Sequence, residues 1–153
     1  MSRDRPPVIK GRIPQSNERY NLDDPLKLKS LNLDPTIRSK IADEYDHYPD
    51  CKWAIIEYKS RNLRDSIEQL QETSERLSEV QRTIDMAIIV SKGMKAEKNI
   101  FQRKNGLLHY KLTGKPVWIQ TGASNVEVQI YYLWEVDKQY EKYNRSLEPW
   151  VSK

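Results

Sequence analysis

Trp53-Ala54-Ile55-Ile56-Glu57-Tyr58-Lys59-Ser60, the stretch WAIIEYKS, opens on four apolar residues and ends on a carboxylate, a tyrosine and an amine. Side chains alternate along a strand, so Trp53, Ile55, Glu57 and Lys59 share one side while Ala54, Ile56 and Tyr58 share the other. Apolar residues on both sides predict a strand through the interior, with a charged pair projecting together from its end.

Beyond Lys59 the period changes. Leu63, Ile67, Leu70, Leu77, Val80 and Ile84 recur at three, four or seven positions, which predicts an amphipathic helix of about six turns. Neither Gly nor Pro interrupts the chain between Ser60 and Ser91. IDMAIIV (84–90) predicts a second buried strand. A strand, long helix, strand unit favours a parallel pair joined by a right-handed crossover. Upstream, Asp34 is placed to cap a helix with Pro35 in its first turn, and Ile37 and Ile41 share one face of it. Tyr48-Pro49-Asp50 is a turn signal leading into WAIIEYK. Downstream, Gly93 punctuates the chain and a short basic helix is expected over 94–103. LLHYKL (107–112), PVWIQ (116–120) and VEVQIYYLW (126–134) read as three further strands, separated by Gly-containing turns. The closing segment 137–153 reads as a surface helix and tail. The expected fold class is α/β or α+β, a mixed β-sheet flanked by helices.

A chain of 153 residues accommodates one ordinary domain. Residues 1–33 carry prolines at 6, 7, 14 and 25 and no sustained period, so they are expected to form a flexible, disordered basic arm, with a single domain over 34–153. No apolar run approaches the roughly 18 to 20 residues that span a bilayer, and the first residues lack the apolar core of a secretory signal. The expectation is a soluble, cytoplasmic protein with no membrane contact. Cys51 is the single cysteine and has no partner for an internal disulfide. The net charge is +4, unevenly placed. Residues 1–33 hold seven Lys/Arg against four acids, leaving the rest of the chain close to neutral. Within that remainder, Lys92, Lys95, Lys98, Arg103, Lys104, Lys111 and Lys115 face only Glu97, whereas IADEYDHYPD (41–50) holds four acids and no Lys or Arg. The first segment is suited to phosphates and the second to cations.

A carboxylate and an ammonium two residues apart at a strand end suit phosphodiester hydrolysis. With a second acid the carboxylate can hold Mg²⁺, which takes oxygen ligands and keeps several waters. The metal polarises the phosphate while the lysine orients the attacking water. In Pro49-Asp50 followed by Glu57-Tyr58-Lys59 the sequence resembles the PD-(D/E)xK, restriction-endonuclease-like nuclease superfamily. The likeness extends into the following helix, where members often carry a Gln-Leu pair, matched here by Gln69-Leu70, and covers about residues 34–91. An acid on the preceding helix, for which Glu44 is the candidate, is also common in the family. The resemblance implies a restriction-endonuclease-like core, hydrolysis of DNA with Mg²⁺ or Mn²⁺, and a homodimer. It assigns Glu57, Lys59, Asp50 and Gln69 to catalysis, and Asp50, Glu57 and Glu44 to the metal. Family members place the aspartate some ten to thirty residues before the Glu-x-Lys element, whereas Asp50 precedes Glu57 by seven. Fully extended, those seven residues span roughly 23 Å, so either the chain folds back at 50–53 or Glu44 or Asp46 supplies the second carboxylate.

Lys92, Lys95, Lys98, Arg103 and Lys104 are the candidate nucleic-acid contacts, positioning the backbone rather than reading sequence. Trp118, Trp134, Tyr131 and Tyr132 occupy strand-like segments, where aromatics more often pack in a core than stack on bases. His47 and His109 lack partners at metal-ligand spacing and read as structural or surface residues. A rival reading keeps the fold and drops the chemistry: a non-catalytic module that binds nucleic acid or a protein.

Overall fold

The computed structural model describes residues 19–47, 52–59, 62–91, 100–122 and 124–132. In chain order they form β1 (Arg19–Asn21), helix α1 (Pro25–Ser30), a 3-10 turn (Pro35–Lys40), β2 (Glu44–His47), β3 (Trp53–Lys59), helix α2 (Leu63–Glu79), β4 (Met86–Ser91), β5 (Phe101–Lys104), β6 (Leu107–Tyr110), β7 (Trp118–Thr121) and β8 (Ser124–Tyr132). The fold is mixed α+β: an eight-stranded sheet in the order β1-β2-β3-β4-β8-β6-β5, with β7 paired to β8 outside that path.

The centre of the sheet follows the sequence pattern. β3 and β4 run parallel, Ile55 beside Ala87 and Glu57 beside Ile89, with α2 as the crossover between them. β8 continues the parallel set on the far side of β4, pairing Ala87 with Val128 and Ile89 with Ile130. Because paired residues share a face, Ile55, Ala87, Ile89, Val128 and Ile130 form one apolar layer. Leu63, Leu70 and Leu77 of α2 pack on it, in a core that includes Leu22, Leu28 and Leu31.

The ends of α2 explain its length. Asn62, at φ 65°, accepts the Asp65 N–H and donates its amide to the Asp65 carboxylate, a reciprocal cap. At the other end the Arg82 N–H reaches Leu77 O and the Gln81 N–H reaches Ser78 O, a Schellman closure with Gln81 in the left-handed region at φ 63°. The helix therefore stops after 17 residues without a glycine or proline, about one turn short of the six expected.

Three expectations are corrected. The boundary at residue 33 falls inside the folded unit: β1 pairs with β2 and α1 buries Leu28, while Asp24 caps α1 as Asp34 caps the 3-10 turn. The helix begun at Pro35 ends at Lys40, and Ile41 is already extended, so Glu44 lies on strand β2 rather than on a helix. The basic helix expected over 94–103 gives way at its end to β5, hairpinned to β6 through Asn105-Gly106, both at positive φ as a two-residue turn demands. Residues 92–99 of that segment, the first part of the arm (1–18) and the closing segment 137–153 lie outside the described residues. Among the described residues no helix is long and apolar enough to cross a membrane.

Candidate functional site

β2 and β3 form an antiparallel hairpin whose register pairs Glu44 with Ile56, Tyr45 with Ile55, Asp46 with Ala54 and His47 with Trp53. Glu44 and Asp46 therefore project with Ala54, Ile56 and Tyr58, on the face opposite Glu57. The Tyr58 hydroxyl donates to Glu44 Oε1 at 3.3 Å, in keeping with that placement. The structure does not bring Glu44 or Asp46 to the carboxylate of Glu57.

The acid bonded to the backbone on either side of Glu57 is Asp43, which sequence reasoning passed over. Its N–H donates to Ile56 O (3.0 Å) and its carbonyl accepts from Leu22 N (2.9 Å), fixing the residue between β1 and β3. Its carboxylate then takes the Tyr58 N–H at 2.8 Å. Asp43 is thus bonded to the residues on either side of Glu57. A regular ladder would offer the carbonyl of residue 42 to that N–H. Instead Ala42 turns its own N–H to Thr73 Oγ1 of α2 (2.7 Å), and the aspartate side chain completes the ladder. Asp43 and Ile56 are joined where Glu44 and Ile56 are already paired, so two residues of one chain oppose one of the other, an irregularity that re-aims a side chain.

Glu57 points to the side covered by α2. Gln69, with its amide nitrogen turned toward the carboxylate, donates to Glu57 Oε1 at 3.3 Å and more closely to Oε2. The Glu57 side chain is fully buried, as are Asp43, Glu44 and Asp46 to within 1%. Four carboxylates are thus buried on β2, at its entry and at the end of β3, and Asp43, Glu44 and Glu57 accept hydrogen bonds there, as buried carboxylates require. Among the described residues no three of His, Cys, Asp and Glu converge closely enough to hold a metal between them.

The other expected site residues are placed as follows. Lys59 ends β3 opposite Ser91, its side chain being outside the described residues, as are Asp50, Lys92, Lys95 and Lys98. Arg103 and Lys104 sit on successive positions of β5 and so on opposite faces: Arg103 pairs with core residue Leu108, and Lys104 is exposed beside Leu107. His47 stacks on Trp53 with ring centroids 4.6 Å apart, and His109 Nδ1 lies 3.0 Å from Gly114 O. The spacing of Asp43 and Glu57, fourteen residues, is the signal that sequence reading could have used.

Compared with known protein families, with curated proteins and with solved structures, the chain matches none.

Proposed function

We infer that the protein is a divalent-metal-dependent nuclease acting on DNA, built on a restriction-endonuclease-like core. The observation that carries this reading is the position of Asp43. It stands at the entry of β2, against the end of β3 that bears Glu57-Tyr58-Lys59. With Asp43 as the motif's aspartate, its fourteen-residue separation from Glu57 falls within the family's range and removes the difficulty posed by Asp50. The antiparallel β1-β2-β3 set, the crossover helix and the parallel β4 support the same reading, as does Gln69 on the carboxylate of Glu57.

The donors fit a hard cation, since two carboxylates together with water are what Mg²⁺ accepts. Asp43 and Glu57 would hold it, and when bound it would polarise a phosphate oxygen and acidify a water. Asp43 contributes an oriented carboxylate, because Tyr58 N–H and the two backbone bonds fix its direction before any ligand arrives. Gln69 orients Glu57 in the same way from α2. Lys59, two residues along the strand, would supply the cation for the phosphate charge that develops during attack.

A second reading, a non-catalytic derivative of the fold, is favoured by the complete burial of Glu57 beneath α2. The two are separated by incubating the protein with plasmid DNA and Mg²⁺ or Mn²⁺, with Glu57→Gln as the control. Metal-dependent cleavage that is lost in this variant supports the nuclease. Absence of cleavage with either metal by the folded wild type assigns the derivative.

A further inference from the structure

The strands beyond β4 have two unlike sides. Phe101, Leu108, Ile119, Val128 and Ile130 are buried in the core, on the side of the sheet that α2 covers. The residues between them point the other way. Register links them across the strands: Gln102 with His109, Lys104 with Leu107, Leu107 with Gln129, and Trp118 with Glu127, two positions from Gln129. In the centre of the sheet the same side is closed, with Ala54, Ile56, Met86 and Ile88 all buried. In the wing it is open, and Trp118 is 51% exposed.

An exposed tryptophan on a solvated sheet face forgoes burial that its large apolar area would otherwise gain. The segment that carries it is basic, while its cross-strand partner is Glu127. Residues 100–122 hold Arg103, Lys104, Lys111 and Lys115 and no Asp or Glu. The exposed side of α2 has the reverse character, with Asp65, Glu68, Glu75 and Glu79. A polyanion is thus repelled by the helix side and drawn to the wing. Around Trp118 the open face carries the Gln102 amide, an imidazole and a half-buried carboxylate (Glu127), which match the polar edges of bases rather than phosphates. Because Gly114 O can only accept, His109 Nδ1 carries the proton toward it and Nε2 is left for another partner.

We propose that this open face, centred on Trp118 and Lys104, binds single-stranded nucleic acid, with a base stacked on the indole and the backbone following the cations. Watson–Crick edges and base faces are free for such contacts only in a single strand, and a sheet carrying an aromatic ring and flanking cations is a suitable stacking surface. The proposal stands apart from the acid site, and it is tested without metal.

Full-length protein in EDTA at low salt is titrated against fluorescein-labelled oligothymidine, oligouridine, and an oligothymidine·oligodeoxyadenosine duplex, read by anisotropy. Tighter binding of either single strand than of the duplex is expected. Trp118→Ala should weaken it by roughly five- to a hundredfold, the span of one stacked base, with Trp118→Phe retaining most of the affinity. Lys104→Ala should lower the slope of log affinity against log salt by about one. Half-exposed Trp118 allows both variants to keep the wild-type melting curve, and should Trp118→Ala melt early, Trp118→Phe and Lys104→Ala decide. The proposal is overturned if neither single strand binds, if neither binds more tightly than the duplex, by unchanged affinity of Trp118→Ala, or by its conversion of a dimer to a monomer, which would make the face a self-association surface.

Discussion

Asp43 closes the β-ladder with its side chain, and its replacement separates that structural task from any chemical one. The carboxylate and its partner N–H are both buried, Asp43 at 1% and Tyr58 at 2% exposure, and their bond is 2.8 Å long. A hydrogen bond to a charged group contributes about 1.5 to 3 kcal/mol net, and deleting one partner leaves the other's desolvation uncompensated. Asp43→Ala does that to the Tyr58 N–H, so the expected loss is ~2.5 kcal/mol. Asp43→Asn keeps an acceptor and forfeits only the charge assistance, about half of the bond's strength, for a loss of ~1 kcal/mol. At a urea m-value of about 2 kcal/mol/M, the alanine variant's midpoint should fall by roughly 1 M and the asparagine variant's by about half that. Equal midpoints for the two variants, or a wild-type midpoint for Asp43→Ala, would refute the assignment of this side chain to the ladder. Under the nuclease proposal Asp43→Asn folds yet fails to cleave, an outcome that loss of stability alone would not produce.

Two further substitutions test local structure. Gln81 occupies the left-handed position of the α2 closure, where a side chain costs about 1 kcal/mol relative to glycine; Gln81→Gly should raise stability by ~0.5 kcal/mol once the freer unfolded chain is counted, and a lowered urea midpoint would contradict the Schellman assignment. The Thr36 N–H and side chain hold the Asp34 carboxyl below its ordinary value of 3.8. A depressed folded-state value stabilises the fold above the unfolded value and is lost as pH falls through the folded one. Wild type should therefore melt above Asp34→Asn at neutral pH, with the gap closing as pH falls well below 3.8; a gap that stays constant across the titration would rule out the charge contribution.

β3, α2 and β4 were legible because each carries a long, regular pattern: apolar residues on both sides of a strand, then a 3.6-residue stripe, then a second apolar run. β2 was not, because Glu44 and Asp46 are buried charges and a periodicity argument assigns charge to solvent. Asp43 was hidden for a related reason. Pro49-Asp50 matches the motif letter by letter, and only the hairpin register shows that the entry of β2, not its exit, meets the end of β3. The start of the fold was written in the sequence twice, since Asp24-Pro25 repeats the capping signal of Asp34-Pro35, but α1 has six residues, too few for a period to emerge. Asn105-Gly106 likewise carries the hairpin signal that the lysine-rich segment around it obscured. The open side of the wing depends on which strands become neighbours, which no local pattern states.

Residues 69–74 of α2 reach three separate parts of the chain: Gln69 holds the Glu57 carboxylate, Thr73 holds the Ala42 N–H next to Asp43, and Gln71 and Ser74 hold the backbone of Gln120 in β7, with Gln120 N–H on Gln71 Oε1 at 2.9 Å. The Gln71 amide donates to the carbonyl and accepts from the N–H of the one residue Gln120, as a neighbouring strand would. The helix is consequently a common axle for the acid pair and the wing. A displacement along its axis by even one residue, about 1.5 Å, would strain these attachments at once, and a load applied to the strand beside Trp118 would be felt at Glu57 through little more than one turn of helix.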